Sequence, residues 1–175
     1  MILFFADGEC ESDAFVRHCY AHYADIVNAA GGSLPGSVGI VREEGKKPRF
    51  DCDEVHFSLS HSHGVIMLGI SRTEIGVDIE MIRPVSESLL RLVGATDEKG
   101  FFFKWTERES WMKFTGAGLR DFRTPVPEDA HFEHFEPFEG YEACVCAERQ
   151  SVRAFLIDLA SVEGRDAGKT DKKQV

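Results

Sequence analysis

Residues 75–80 place two carboxylates in an otherwise apolar run that has the composition of a β-strand. Because strand side chains alternate between faces, Asp78 and Glu80 are expected to point the same way, roughly 6–7 Å apart, while Val77 and Ile79 point into a core. At about 6 Å and an effective dielectric of about 20, the two charges repel each other by roughly 3 kcal/mol. A cation, a raised pKa or exposure to solvent would relieve this repulsion. The segment alone is consistent with a divalent-metal site or with an edge strand whose acids are solvated.

The bulk composition is that of an ordinary soluble globular protein of one domain, or of two small lobes that share a core. The chain has 175 residues, of which 43% are hydrophobic and 29% are charged. Its net charge of −10 argues against a general nucleic-acid binder, because that role needs a basic surface. Its five cysteines include no CxxC pair, so reduced thiols in a cytoplasm are expected. We find no signal-peptide pattern and no apolar run near the roughly 20 residues of a membrane span.

Hydrophobic periodicity predicts the first half of the fold. A buried strand is expected over residues 2–6, and a helix over residues 12–30, where apolar side chains recur every three or four positions. Residues 55–60 and 65–70 have the pattern of strands. Together with the strand of Asp78, they predict a three-stranded antiparallel meander.

The second half contains weaker signals. His131 and His134 are flanked by glutamates, which favours a solvated strand over a metal site. Residues 142–148 and 152–159 are expected to form a closing hairpin. Residues 163–175 contain almost no apolar side chain and are predicted to be a disordered tail.

Two polar segments that precede the acidic strand carry groups suited to anions. The most basic short segment contains Lys47 followed by Pro48, whose ring fixes φ, and it is either a solvated turn or an anion-binding loop. Ser60, His61 and Ser62 offer hydroxyl and imidazole donors suited to a phosphate. A hydrogen-bonded hairpin end explains the second spacing equally well.

A second helix, predicted over roughly residues 106–116, adds a carboxylate and an amine on one face. Glu109 and Lys113 lie four residues apart, so their side chains are neighbours. Thr106 and Glu109 also fit a capping box, in which the glutamate accepts a hydrogen bond from the N-cap amide. The Glu109/Lys113 pair could equally be a surface ion pair worth about 0.3–0.5 kcal/mol.

Taken in order, these motifs resemble the 4′-phosphopantetheinyl transferase family, and the Sfp type more than the short trimeric type. The resemblance covers about residues 45–159, including a late strand over residues 140–147. Its four motifs are Gly45-x-Lys47-Pro48, Phe57-x-x-Ser60-His61-Ser62, Gly76-Val77-Asp78-Ile79-Glu80 and Trp105-x-x-x-Glu109-Ser110-x-x-Lys113. The order of the four makes the match specific, whereas any one of them alone would not.

The resemblance implies transfer of the phosphopantetheine arm of coenzyme A to a serine hydroxyl of an apo carrier protein. The other product is 3′,5′-ADP, and Mg²⁺ is required. By the same resemblance, Asp78, Glu80 and Glu109 would be the metal ligands, and Lys113 would contact phosphate. Glu109 is the best candidate for the base that removes the serine proton, although which acid does this stays open.

The resemblance also assigns residues to the nucleotide. His61, with Ser60, would meet the 3′-phosphate, and Lys47 and Pro48 would lie beside the nucleotide. Since the whole chain is acidic, the pocket formed by these residues has to be locally basic.

The implied fold is α+β, with two similar lobes of antiparallel sheet and packed helix in a pseudo-two-fold arrangement. A shortened N-terminal lobe is expected over residues 1–72 and a C-terminal lobe over residues 73–162, with Asp78 and Glu80 at the cleft between them. A cytoplasmic monomer that modifies fatty-acid, polyketide or non-ribosomal-peptide carrier proteins is expected.

The chain departs from the family pattern at three places, one of which is a short link between Glu80 and Trp105. Arg108 occupies the position of a lysine, which keeps the charge but replaces a compact ammonium by a planar fork. The segment before Gly45 is shorter than in the Sfp type, so the basic residues that it would bring to coenzyme A are not assignable beyond the candidates Arg17 and Arg42.

Two functions from different classes remain. One is an active Mg²⁺-dependent transferase, and the other is a non-catalytic family member that binds coenzyme A or a carrier protein. Intact Asp78, Glu80, Glu109 and Lys113 favour the transferase. A metal-dependent nuclease is a weaker third possibility, because the acidic net charge and the His61 motif count against it.

Overall fold

The computed structural model describes residues 1–116 and 125–162, in which strands and helices are mixed along the chain. The strands are β1 (Ile2–Asp7), β2 (Ile40–Val41), β3 (Arg49–Phe50), β4 (His56–Ser62), β5 (Val65–Ser71), β6 (Ile75–Met81), β7 (Phe132–Phe135), β8 (Tyr141–Ala147) and β9 (Arg153–Leu156). The helices are α1 (Ser12–Ala29), α2 (Glu87–Val93) and α3 (Glu98–Thr115). The predicted α+β class is confirmed, and the predicted tail lies outside the described residues.

Strand β1 is the centre of the first sheet, whose order is β4-β5-β1-β9. Its apolar run is buried on both faces, which explains why it shows no hydrophobic alternation. Phe4 and Ala6 pack with Phe15 and Tyr20 of α1. Leu3, on the opposite face, packs toward the second sheet. The predicted first strand and first helix are therefore confirmed, with ends that differ by one residue.

Strand β6 joins the second sheet, which has the order β6-β8-β7 and is antiparallel throughout. Its residues alternate as the sequence predicts. Val77 and Ile79 face the core that Leu3 shares. The opposite face, which carries Asp78 and Glu80, is the face on which α3 packs. The strand therefore separates an apolar core from the candidate site.

Two predicted strand pairings are wrong. The meander stops after the β4–β5 hairpin, because β6 forms its ladder with β8, where Asp78 lies opposite Cys144. The closing hairpin does not form, because β9 runs parallel to β1, with Ile2 opposite Arg153. In both cases the partner strand is distant in the sequence, and local patterning does not encode that choice.

Helix α3 begins eight residues earlier than predicted. The carboxylate of Asp97 caps it by accepting a 2.7 Å hydrogen bond from the amide of Gly100. Thr106 therefore lies inside the helix, where its hydroxyl donates to the carbonyl of Phe103 at 3.1 Å. The capping box suggested for Thr106 and Glu109 is wrong, and Glu109 is available for other contacts. No helix within residues 1–116 and 125–162 is long and apolar enough to cross a membrane.

Candidate active site

The close approach of α3 to β6 depends on Gly76. A Cβ atom on this residue would lie 1.8 Å from the carbonyl oxygen of Ser110 and 2.4 Å from the backbone nitrogen of Phe114. Both neighbours are backbone atoms, so a side chain at this position would push the helix off the strand. Glycine thus lets the residues of α3 that face β6 come within reach of its carboxylates.

Asp78 is the most buried acid of the site, with 4% of its surface exposed. Its Oδ1 accepts hydrogen bonds from Lys113 Nζ at 2.7 Å and from Ser60 Oγ at 2.8 Å. Its Oδ2 is buried and has no hydrogen-bond partner among the residues that the structure describes. Burial raises the pKa of Asp78, against the opposing effects of Lys113 and the Ser60 hydrogen bond. One oxygen of this carboxylate is therefore hydrogen-bonded, and the other is available to another ligand.

Glu80 is held from two sides at one oxygen. Its Oε2 accepts from Ser62 Oγ and from Arg83 Nη1, each at 2.9 Å. The Arg83 guanidinium also lies 4.9 Å from the centre of the Phe102 ring. Sequence reasoning missed Arg83. In the sequence, Arg83 lies three residues after Glu80, but exposed ion pairs on a protein surface have the same spacing.

Glu109 completes a group of three interacting carboxylates. Burial raises the pKa of Glu109, and the charges of Asp78 and Glu80 raise it further, while Lys113 opposes the shift. The structure therefore places Glu109 near enough to Asp78, Glu80 and Lys113 for their charges to act on its pKa. Carboxylate oxygens, including the unpartnered Oδ2 of Asp78, are the donors that Mg²⁺ prefers.

The acids do not form a ready-made metal cage. Among the residues that the structure describes, no group of three or more His, Cys, Asp or Glu side chains is arranged to hold a metal ion. Lys113 and Arg83 instead supply positive charge to Asp78 and Glu80. The donor types fit Mg²⁺, but its shell would have to be completed by oxygens from outside this chain.

A row of three serines on β4 connects this strand to β6. We call Ser58, Ser60 and Ser62 the serine row. The row accepts hydrogen bonds from alternate β6 amides, which are Val77 N at 3.0 Å to Ser58, Ile79 N at 3.4 Å to Ser60 and Met81 N at 3.2 Å to Ser62. These hydroxyls satisfy β6 amides that β8 leaves unpaired, so β4 lies beside β6 without a backbone ladder.

A cleft of about 460 Å³ opens beside Glu109 and Lys113. The other charged or titratable side chains along it are Arg42, Lys46, Lys47 and His61, and Glu109 is the one carboxylate among the described residues that line it. This cleft is lined by four cations and one carboxylate among the described residues, and three of the cations form ion pairs with acids outside the lining, namely Arg42 with Asp13, Lys46 with Glu43 and Lys47 with Glu74. It is suited to a ligand that carries several phosphates.

The remaining predicted site residues lie around this cleft, with one exception. Lys47 lines it and is anchored to the start of β6 by hydrogen bonds to Ile75 O at 2.7 Å and to Glu74 at 3.1 Å. Burial lowers the pKa of Lys47, against the attraction of Glu74. Pro48 and the exposed His61 also line the cleft. Ser60 is the exception, because it is buried and its hydroxyl donates to Asp78.

Comparison with known proteins gives one consistent result. No protein-family model matches the chain. Six curated proteins do match it, and each of them is named a 4′-phosphopantetheinyl transferase. The chain is similar in sequence to these 4′-phosphopantetheinyl transferases. The resemblance predicted from the four motifs, including that to the Sfp type, is confirmed.

Three of these relatives show the extent of the similarity. HetI from Nostoc sp. is 32% identical over 108 residues, which are 50% of this chain and 46% of the relative. The ffp protein of Bacillus subtilis is 30% identical over 138 residues, or 62% of each chain. Sfp from Bacillus subtilis strain 168 is 26% identical over 136 residues, or 61% of each chain. The chain thus spans about half to three fifths of the length of these relatives.

Proposed function

We propose that this protein transfers the 4′-phosphopantetheine arm of coenzyme A to a serine hydroxyl of an apo carrier protein and releases 3′,5′-ADP. The observation that carries the proposal is the convergence of Asp78, Glu109 and Lys113 beside a cationic cleft. The names of the relatives agree with it. A cleft of about 460 Å³ has the size of a small-molecule site.

In the proposed reaction, the serine oxygen of the carrier attacks the phosphorus atom next to the pantetheine arm. A new P–O bond forms to the serine, and the P–O bond to the leaving 3′,5′-ADP breaks. Glu109 accepts the serine proton. Burial raises the pKa of Glu109, and this makes it a stronger base than an exposed glutamate. Lys113 places a positive charge beside the phosphates.

Mg²⁺ fits the donor atoms of this site. Asp78, Glu80 and Glu109 would hold it, and when bound it supplies positive charge to the pyrophosphate and to the leaving phosphate. The buried, unpartnered Oδ2 of Asp78 supports the assignment. Lys113 and Arg83 balance the acids when no metal is present.

The nucleotide portion of coenzyme A is assigned to the basic side of the cleft. His61 would contact the 3′-phosphate, and Lys47 and Pro48 would lie beside the nucleotide. The position of all three along one cleft supports this arrangement. Arg42 and Lys46 line the same cleft and add positive charge.

We infer two lobes, residues 1–72 and residues 73–162, related by a pseudo-two-fold axis. The first range contributes the antiparallel strands β4, β5 and β1 with helix α1, and the second contributes β6, β8 and β7 with helix α3. The matching order of three antiparallel strands and one helix supports the inference. A monomer in the cytoplasm remains the expectation.

The proposal is tested by weighing an apo carrier protein after incubation with the protein, coenzyme A and Mg²⁺. Intact-mass spectrometry is expected to show a gain of one phosphopantetheine group with the wild-type protein. Asp78→Ala and Glu109→Ala are expected to abolish the gain, because each removes a carboxylate of the site. Glu98→Ala is the matched control, since Glu98 is an acid of the same helix, in its first turn.

Two results would separate this function from its alternative. Carriers of the fatty-acid, polyketide and non-ribosomal-peptide types should be tried, since the substrate carrier is not specified by the chain. If all of them stay unmodified while calorimetry shows that coenzyme A binds, the transferase proposal fails. The protein would then be a non-catalytic binder of coenzyme A.

A further inference from the structure

The three hydroxyls of the serine row all contact β6 amides, but they differ in the groups to which they donate. In each case an amide of β6 donates to the hydroxyl oxygen, so the hydroxyl proton remains free to be donated elsewhere. Ser60 donates it to Asp78 Oδ1 at 2.8 Å, and Ser62 donates it to Glu80 Oε2 at 2.9 Å. Ser58 contacts no carboxylate of the site.

The two serines act on one oxygen of each carboxylate. On Asp78, Ser60 and Lys113 both donate to Oδ1, whereas the buried Oδ2 has no hydrogen-bond partner within residues 1–116 and 125–162. On Glu80, Ser62 and Arg83 both donate to Oε2. Such contacts fix the rotation of a carboxylate group, and they determine which oxygen is turned toward a ligand.

We propose that Ser60 and Ser62 are positioning residues that orient Asp78 and Glu80 for a divalent cation. The inference rests on the proposed function, because it concerns the metal ligands assigned there. It gives Ser60 a role at the metal ligands instead of at the 3′-phosphate. Hydrogen-bond partners of metal ligands commonly change metal affinity about 10- to 100-fold when they are removed.

The spacing of the row gives the two contacts a common origin. Serine side chains at every second position of β4 point to the same side, as do Asp78 and Glu80 on β6. Two neighbouring strands with this alternation bring each hydroxyl to one amide and, at two of the three positions, to one acid. All three serines are buried, so water competes little for these hydrogen bonds.

The test compares Ser60→Ala, Ser62→Ala and Ser58→Ala for their affinity for Mn²⁺ alone, measured by electron paramagnetic resonance. Ser60→Ala and Ser62→Ala are each expected to weaken Mn²⁺ binding about 10- to 100-fold. Ser58→Ala is the matched control, because it removes the same amide contact without touching an acid. It is expected to keep Mn²⁺ affinity within about twofold, by the same reasoning.

Urea unfolding of the three variants distinguishes a loss of Mn²⁺ affinity that comes from a misoriented carboxylate from one that comes from a less stable fold. Each variant loses one buried amide contact, and Ser60→Ala and Ser62→Ala also lose a hydrogen bond to a carboxylate, so these two are expected to lose more stability than Ser58→Ala but to stay folded. Mn²⁺ affinity is therefore compared under conditions in which urea unfolding shows all three variants to be folded. Ser62→Thr, which keeps a hydroxyl, is expected to recover most of the Mn²⁺ affinity that Ser62→Ala loses. This rescue does not depend on the transfer reaction.

The inference is overturned if Ser60→Ala and Ser62→Ala bind Mn²⁺ as tightly as Ser58→Ala, or if all three weaken binding equally. A wild-type protein that binds no Mn²⁺ overturns it as well. Failure of the proposed function looks different. In that case, the carrier gains no mass with the wild-type protein, whereas the Mn²⁺ affinities of the variants still differ as expected.

Discussion

Asp78 shows how the chain resolves the repulsion that its sequence predicts. A cation, a raised pKa or exposure to solvent can relieve the repulsion between two neighbouring carboxylates. In the structure, each carboxylate has a cation beside it, and the pKa of Asp78 is raised. Lys113 was visible in the sequence as a partner of Glu109 on the same helix face. Its bond to Asp78 follows only from the packing of α3 on β6, which helical spacing does not reveal.

His61 provides a prediction at the scale of one residue. His61→Ala is expected to weaken coenzyme A binding roughly tenfold, since a hydrogen bond to a charged phosphate is lost. The affinity for 3′-dephospho-coenzyme A should not change, because that ligand lacks the group contacted. Isothermal titration calorimetry with both ligands measures the difference. Equal weakening for both ligands would place His61 elsewhere on the nucleotide.

At the scale of elements, the contact between α3 and β6 determines the site. Gly76→Ala is expected to destabilise the fold by about 3 kcal/mol, because its methyl group would overlap backbone atoms of Ser110. Carrier modification should fall sharply in the same variant, because α3 also carries Glu109 and Lys113.

Gly36→Ala is the matched control for this prediction. Gly36 is exposed, and a Cβ added to it would meet no atom within 4 Å. The free energy of unfolding of the Gly36→Ala protein should therefore change by at most about 0.5 kcal/mol. Urea unfolding measures both variants. A Gly76→Ala protein that is as stable as the Gly36→Ala protein would show that α3 does not pack on β6 as described.

A second contact holds α3 against the same face of this sheet at its opposite edge, which is strand β7. His134 of β7 forms hydrogen bonds with Glu142 at 2.7 Å and with Glu107 of α3 at 3.3 Å. Its ring stacks on Phe103 at 3.7 Å between centroids. Burial opposes the charge, yet hydrogen bonds with Cys144, Glu107 and Glu142 raise the pKa of His134 to about 11. The sequence predicted a solvated strand here, but His134 is a charged link between α3 and the sheet.

This link predicts a pH-dependent stability. Folding raises the pKa of His134 above its ordinary 6.5. The contribution of this histidine to the free energy of unfolding is therefore complete below about pH 6.5 and is lost as the pH rises toward 11. His134→Gln is expected to cost about 2 kcal/mol near neutral pH. The difference from the wild-type protein should shrink steadily between pH 7 and pH 10.

Urea unfolding of both proteins across this pH range tests the link. His22→Gln, at an exposed position of α1, gives the baseline for replacing a histidine on the surface. A difference between wild type and His134→Gln that grows with pH would contradict the charged link.

At the scale of the whole molecule, local signals in the sequence predicted individual strands and helices better than they predicted which distant segments pair. Strand β1, helix α1 and the β4–β5 hairpin follow from periodicity, and the acids follow from motifs. The pairings of β6 with β8 and of β1 with β9 join distant parts of the chain. Such pairings depend on contacts between segments that are far apart in the sequence, and no short window of sequence contains that information.

The same limit applies to the site. The identity of Asp78, Glu80, Glu109 and Lys113 as a group came from motif order. The partner that each acid contacts came from the fold, since Ser60 reaches Asp78 across a strand interface and Arg83 reaches Glu80 from the segment that follows β6.

The measurement that tests the central claim most directly counts both products of one incubation. The protein, coenzyme A, Mg²⁺ and an apo carrier are mixed, and modified carrier is quantified by intact mass while 3′,5′-ADP is quantified by chromatography. We predict one 3′,5′-ADP for each phosphopantetheinylated carrier, and neither product with a carrier whose acceptor serine is replaced by alanine. Release of 3′,5′-ADP without carrier modification, or binding of coenzyme A with neither product, would contradict the proposed transfer.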